Sequence, residues 1–294
     1  MSGDERPGSS RRRRKPRITV VICCADVADT LEAACRSVAW VDELVVVDSG
    51  STDATGEIAQ QFATRYVVEP WRGYTAQKRF GVGLCRNDWT FVLDGDEECS
   101  PELGEEIRHL TEEEMERRDL FLMRRRNYVM GRYVRAFSPD WQNRLIHRGR
   151  CRWADADVHD RRVPSHPSRM ARLRGWMEHR RHSQAGFADY FDGRLADTRL
   201  KLAAEEMLRK GKRCTWLDLL LRPPLTFAKF YLLKKGFLDG QFGVLIAQRA
   251  AGAVQLRYAA LWARQHGTEW RMGERDRGAA PAPPPAPAGD RVIR

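Results

Sequence analysis

The chain has no C-x-x-C pair, and its seven cysteines (Cys23, Cys24, Cys35, Cys85, Cys99, Cys151 and Cys214) are odd in number. That argues against a disulfide framework and a paired-thiolate zinc site, and for free thiols in a reducing compartment. No uncharged apolar run reaches the roughly 18–20 residues a spanning helix needs, so a cytosolic or peripheral protein is expected. The arginine run near the N-terminus lacks the apolar stretch of a secretory signal. There is no internal repeat. There is also no helix-turn-helix, zinc-finger or RNP-type signature, so nucleic acid is not the expected partner.

What is present can build a core: 42% of the 294 residues are hydrophobic and nine are Trp. The formal net charge is +11, and residues 1–17 alone hold seven Lys and Arg against two acids. An excess of this size by itself favours an anionic partner, whether nucleic acid, a phosphorylated lipid or a membrane surface. Composition divides the chain into a basic tail without fixed structure (1–16), a catalytic-type domain (17–185), a helical extension (186–270) and a Pro/Ala-rich tail (271–294).

Hydrophobic periodicity orders the first half. Strands are expected at Ile18–Cys24, Leu44–Val47, Arg65–Val68 and Trp89–Leu93. Helices are expected at Asp29–Ala39, at Asp53–Phe62 with Asp53 or Thr52 as cap, and at Gly73–Cys85. Ser100 and Pro101 then open a helix running to about Arg117. This alternation points to a mainly parallel, Rossmann-like α/β sheet flanked by helices. Short extended pieces follow at Leu120–Arg125, Arg144–His147 and Met170–Leu173. A helical stretch then begins near Gly186, with breaks near Gly211, Arg222–Pro224 and Gly240.

Two of the expected strands end in carboxylates. The first empties into Asp48–Ser49–Gly50–Ser51–Thr52–Asp53, and the second into Asp94–Gly95–Asp96–Glu97. In open α/β sheets the carboxyl edge is where ligands bind. Adjacent acids on a half-buried edge repel unless a cation or ligand offsets them, and hard oxygen donors suit Mg²⁺ or Mn²⁺ with a diphosphate. Asp48 could accept hydrogen bonds from a base or ribose, or simply cap the next helix. Gln77, Lys78 and Arg79 could reach a diphosphate or form an exposed basic face. His179 and His182 could ligate a metal or phosphate, or be packing residues. A second acidic cluster, Asp155, Asp157 and Asp160, offers a general base. Between Lys212 and Arg264, nine basic residues are interleaved with Trp, Leu, Phe and Tyr, which suits a membrane interface or ordinary core-covering helices.

With these residues in place the chain resembles the family 2 glycosyltransferases of the GT-A fold, and among them the lipopolysaccharide inner-core β-1,4-glucosyltransferases. The matching stretches are 37–43, 44–53, 71–80, 88–97, 143–145, 158–160 and 227–240, together spanning about residues 17–265. The resemblance implies inverting transfer, from UDP-glucose, to a hydroxyl of a lipopolysaccharide-core or other lipid-linked glycan at the inner face of the cytoplasmic membrane. It implies that Asp48 binds the nucleoside, Asp94 the ribose or sugar, Asp96 the metal, and that Asp160 is the base. Ser49, Gln77 and Lys78 fall in the donor-binding stretches. Two departures stand out. Ala25–Asp26–Val27 replaces the family's Asn-Glu after strand one, with Asp26 as the nearest substitute, and His159–Asp160 replaces His-Glu. The alternatives are a nucleotidyltransferase on a related sheet and a non-catalytic binder of anionic polymers.

Overall fold

The residues of β1 (Ile18–Cys24) are apolar without alternation because both faces of the strand are covered. A computed structural model describes residues 17–153, 162–182 and 203–267. In it β1, β2 (Glu43–Asp48), β3 (Arg65–Val68) and β4 (Trp89–Asp94) alternate with α1 (Ala28–Ser37), α2 (Thr55–Phe62) and α3 (Tyr74–Gly83). The four strands pair in parallel in the order β3-β2-β1-β4. On one face Leu31, Ala34, Cys35 and Ala59 pack with Val20, Ile22 and Val46. On the other, Val82 and Cys85 at the end of α3 pack with Val21, Val45, Val47 and Val92. Burial raises the Cys85 and Cys99 thiols to about 12, so both stay protonated.

The sheet continues through the second half. β5 (Glu97–Cys99), α4 (Pro101–Arg108), α5 (Glu112–Glu116), β6 (Leu120–Val129), β7 (Arg132–Tyr133), β8 (Asp140–His147), β9 (Cys151–Trp153), β10 (Arg162–Pro164) and β11 (Met170–His182) follow in sequence. β8 lies antiparallel between β4 and β6, β11 runs parallel to β6, and β5 pairs antiparallel with β11. Since β4 and β6 both oppose β8, they point the same way. The carboxyl ends of β1, β2, β4, β6 and β11 therefore open on one edge of a mixed, mainly parallel sheet. β9 and β10 form a separate hairpin-like pair.

Several expected boundaries move. The helix expected at 101–117 is two helices, because Thr111 and Glu114 form a reciprocal capping box that starts α5 anew. α2 begins at Thr55, while Asp53 accepts from the backbone N–H groups of both Thr55 and Ala28. The extended pieces are longer than expected, above all β11, which runs thirteen residues through Gly175. Beyond residue 202 come α6 (203–209), α7 (Trp216–Ala228), a π-helical turn (Lys229–Leu233), a 3-10 turn (Gly236–Asp239) and α8 (Gln241–Gln265). The expected breaks at Gly211 and Gly240 are present, both at positive φ. The one at Arg222–Pro224 is not: α7 runs through both prolines, giving up the two backbone bonds they cannot donate.

Candidate active site

Asp94 is the last residue of β4 and Asp96 follows one glycine later. Gly95 is required for close approach: a Cβ there would lie 2.8 Å from Val27 Cγ2 and 3.0 Å from Cys24 Cβ. Its carbonyl accepts from the buried Thr30 hydroxyl at 2.8 Å, so the turn is anchored to α1. The two carboxylates then meet different partners.

Asp94 Oδ1 pairs with Lys78 Nζ at 2.6 Å, and its Oδ2 accepts from Arg144 Nη2 at 2.9 Å. The same Arg144 nitrogen lies 2.6 Å from Glu97 Oε1, which also accepts from Arg125 at 2.6 Å. Arg125 reaches on to Asp140 at 2.6 Å. Lys78, Asp94, Arg144, Glu97, Arg125 and Asp140 thus form one chain of alternating charge along the carboxyl edge. Burial opposes ionisation of Asp94, but the Arg144 and Lys78 cations beside it prevail and hold its carboxyl well below the usual range.

Asp96 faces a histidine. His179 Nε2 of β11 lies 3.4 Å from Asp96 Oδ2, and the backbone N–H of Arg180 donates to the Asp96 carbonyl at 2.9 Å. The other ring nitrogen, Nδ1, sits 2.9 Å from Asn127 Oδ1. The orientation of Asn127 is fixed because its Nδ2 donates to the Phe137 carbonyl at 2.7 Å. The oxygen therefore faces the ring, Nδ1 carries the proton, and Nε2 is the ring nitrogen turned to the Asp96 carboxylate. A carboxylate and an imidazole nitrogen so placed suit a shared cation, or pair with each other when Nε2 is protonated. No cluster of three or more His, Cys, Asp or Glu suited to a metal occurs among the described residues.

A second group of residues forms the rim next to β1 and β2. Asp48 is buried, and its Oδ1 accepts from the backbone N–H groups of Gly50 and Ser51 and from the Ser51 hydroxyl (3.2, 2.9 and 2.6 Å). Its Oδ2 accepts from Tyr66 at 2.8 Å. Asp48 is thus the organiser of its own turn. Asp26 is exposed, at φ 48°, and its Oδ1 accepts from Thr52 N at 2.8 Å, while its N–H donates to Ser51 Oγ. Gln77 is fully buried and donates to Ser49 Oγ and the Glu69 carbonyl, so it locks the loop before α3 to the β2 turn.

The structure therefore gathers Lys78, Asp94 and Asp96 at one point and places Asp26, Asp48, Ser49 and Gln77 along the adjoining rim. Asp155, Asp157 and the expected base Asp160 lie outside the described residues. Sequence reasoning gave no role to Arg125 or Asn127, took Glu97 only as part of the acidic Asp94–Glu97 turn, and met Arg144 only within the matching stretch 143–145. The available signal was charge inside strands: Arg144 precedes Leu145 and Ile146, and a buried cation must be paired.

The model of glycosyl transferase family 2 matches residues 19–174. A lipopolysaccharide core biosynthesis glycosyltransferase, LpsC of Rhizobium meliloti, is 28% identical over 82% of this chain and 93% of its own. An uncharacterized glycosyltransferase of Rickettsia felis is 51% identical over 24% of this chain and 25% of its own. Among solved structures, glucosyl-3-phosphoglycerate synthase of Mycobacterium tuberculosis with Mn²⁺, UDP and glucosyl-3-phosphoglycerate aligns over 67% of this chain and 80% of its own. Its TM-score is 0.42 and its identity 17%. TarS 1-349 of S. aureus with UDP-GlcNAc aligns over 87% of this chain and 93% of its own, at TM-score 0.39 and 14% identity.

Proposed function

Because the chain belongs to glycosyl transferase family 2, we propose that it transfers a sugar from a UDP-sugar, UDP-glucose in the first instance, to a glycan hydroxyl with inversion. The acceptor in this reading is a lipopolysaccharide-core or other lipid-linked glycan; the Rhizobium relative is named for lipopolysaccharide core biosynthesis. The observation that carries this reading is the Asp94–Asp96 turn at the carboxyl edge, with Lys78 and the Asp96–His179 pair converging on it.

In such a transfer the acceptor oxygen attacks the anomeric carbon, the bond from that carbon to the diphosphate breaks, and the acceptor proton goes to a base. Asp160 is assigned that base; a positioned carboxylate is typically worth about 10²–10⁴-fold. Lys78 and Arg144 place positive charge beside the departing diphosphate and keep Asp94 ionised to accept from donor hydroxyls. Asp26 and the 48–53 turn shape the nucleoside end of the groove. Asp96 and His179 would hold Mg²⁺ or Mn²⁺, which supplies Lewis-acid stabilisation of the diphosphate charge.

A UDP-release assay across UDP-sugars, with and without Mn²⁺, tests this. Release should need the cation, and Asp96→Asn should lower it by about 10³-fold with the fold intact. Full activity of both EDTA-treated protein and Asp96→Asn would overturn the metal assignment, and no release with any UDP-sugar would overturn the donor.

A further inference from the structure

A protein of this size buries most of its large apolar side chains, yet one short segment does the opposite. Of the large hydrophobic residues exposed among the described residues, Trp216, Leu217, Leu220, Leu221, Leu225, Leu232, Leu233, Phe237 and Leu238 all fall within 23 consecutive positions. Trp216 is 70% exposed and Leu233 81%. α7 contains no buried residue. Its inner side meets α8, where Arg222 stacks over the Tyr258 ring at 4.7 Å. The outer side carries Leu217, Leu221 and Leu225 at helical spacing, continued by Leu232, as one uncovered stripe.

The charges around this stripe have one sign. Lys212 and Arg213 precede it, and Lys229, Lys234 and Lys235 lie at its far end, all exposed. The two acids of the segment are taken: Asp218 bonds to Arg222, and Asp239 pairs with Arg135 at 2.7 Å. Met207, Lys212, Arg213, Asp218, Arg222 and Tyr258 line a recess of about 290 Å³, in which Arg222 takes up the charge of Asp218 and Lys212 and Arg213 add two further cations. No described helix is long and apolar enough to cross a membrane. Leucines flanked at both ends by lysines match the depth profile of a lipid interface, with apolar groups below the headgroups and cations among the phosphates.

The segment is also fixed to the site. Arg135 N–H and guanidinium both bond Asp239, and Phe230 packs edge-on against Phe137 at 5.4 Å. Phe137, Val129 and Phe242 share a cluster at the carboxyl end of β6. That is the sheet edge on which Asp94 and Asp96 lie.

We propose that the outer face of α7 and the two turns after it is a docking surface for an anionic phospholipid bilayer, holding the protein in the interface without spanning it. The proposal stands apart from the sugar-transfer reading. The test uses the full chain with vesicles of phosphatidylcholine alone and with added phosphatidylglycerol, by co-sedimentation and by Trp emission. Binding is expected only to the anionic vesicles, weakened by salt, with a blue shift that is lost in Trp216→Phe. Leu220→Asp with Leu225→Asp, and separately Lys229→Glu with Lys234→Glu and Lys235→Glu, should each weaken binding at least about tenfold. Both sets are exposed, so thermal melting and donor binding should match the parent protein. Equal binding to neutral vesicles, or no loss in either variant, overturns the proposal. So does light scattering that shows a dimer dispersed by the Leu variants without vesicle binding, which would assign the face to a second copy. Loss of UDP release with vesicle binding intact strikes only the catalytic reading.

Discussion

Asp94 and Asp96 stand two positions apart and differ in everything that surrounds them. Asp94 is the counter-charge for Lys78 and the deeply buried Arg144. Asp94→Asn should therefore unfold more easily, by about 1–3 kcal/mol, because Lys78 and Arg144 each lose one carboxylate contact. Asp96→Asn should melt like the parent and lose cation binding instead. Differential scanning calorimetry with Mn²⁺ titration separates the two; equal melting losses would refute the division of labour. Asn127 acts through His179, since it fixes which ring nitrogen carries the proton. In Asn127→Ala the Mn²⁺ concentration for half-maximal UDP release should rise by about 10–100-fold, while kcat at saturating Mn²⁺ largely recovers. A change in kcat alone would show that Asn127 is merely structural.

At the scale of elements, β11 shows how a long strand can hide in a sequence. Gly175 reads as a terminator, but the strand passes through it at a register shift between Arg172 and Trp176. The N–H groups of Arg174 and Gly175, released from the ladder, donate to the Glu106 carboxylate of α4 at 2.8–2.9 Å. A Cβ at Gly175 would lie 2.7 Å from Leu103 N. Gly175→Ala should cost about 1–3 kcal/mol by overpacking α4 against the sheet, measured by denaturant midpoint. An unchanged midpoint would mean that α4 can shift at no cost. The four parallel strands and three helices before Ser100 were legible because their apolar runs have no competing explanation. In the second half the extended pieces at Leu120–Arg125, Arg144–His147 and Met170–Leu173 were placed but cut short, because charged residues such as Arg126 and Asp140 read as strand ends until their partners are brought in from other elements. Arg124 and Arg126, for example, two residues apart on β6, both stack on Trp176 of β11. The same blindness concealed Arg144 from the site, whereas Asp94 and Asp96 were visible because strand and acid are adjacent in sequence.

For the molecule as a whole, acidity should be the sensitive variable. Asp94 is depressed despite its burial, as is Asp119, where burial also opposes ionisation but bonds from Ser165 and Arg169 outweigh it. Depressed carboxyls contribute stability that is fully present above the unfolded value of about 3.9 and is lost as pH falls through the folded values. The denaturant midpoint should be level from about pH 7 to 5 and then fall steeply, and Asp119→Asn should flatten that fall. A midpoint that stays level below about pH 4 would contradict the sign of both shifts.

The Asn127 amide has a further consequence. One end of it sets the tautomer of His179 beside Asp96, and the other holds Phe137, whose ring rests on Phe230 of the helical extension. If lipid docking alters the grip on Phe137, it alters cation affinity at His179, and thermodynamic reciprocity then requires the cation to alter lipid affinity by the same factor. The protein would sense its arrival at a surface by the same bond that readies its chemistry, and the two titrations, run in either order, must close to one number.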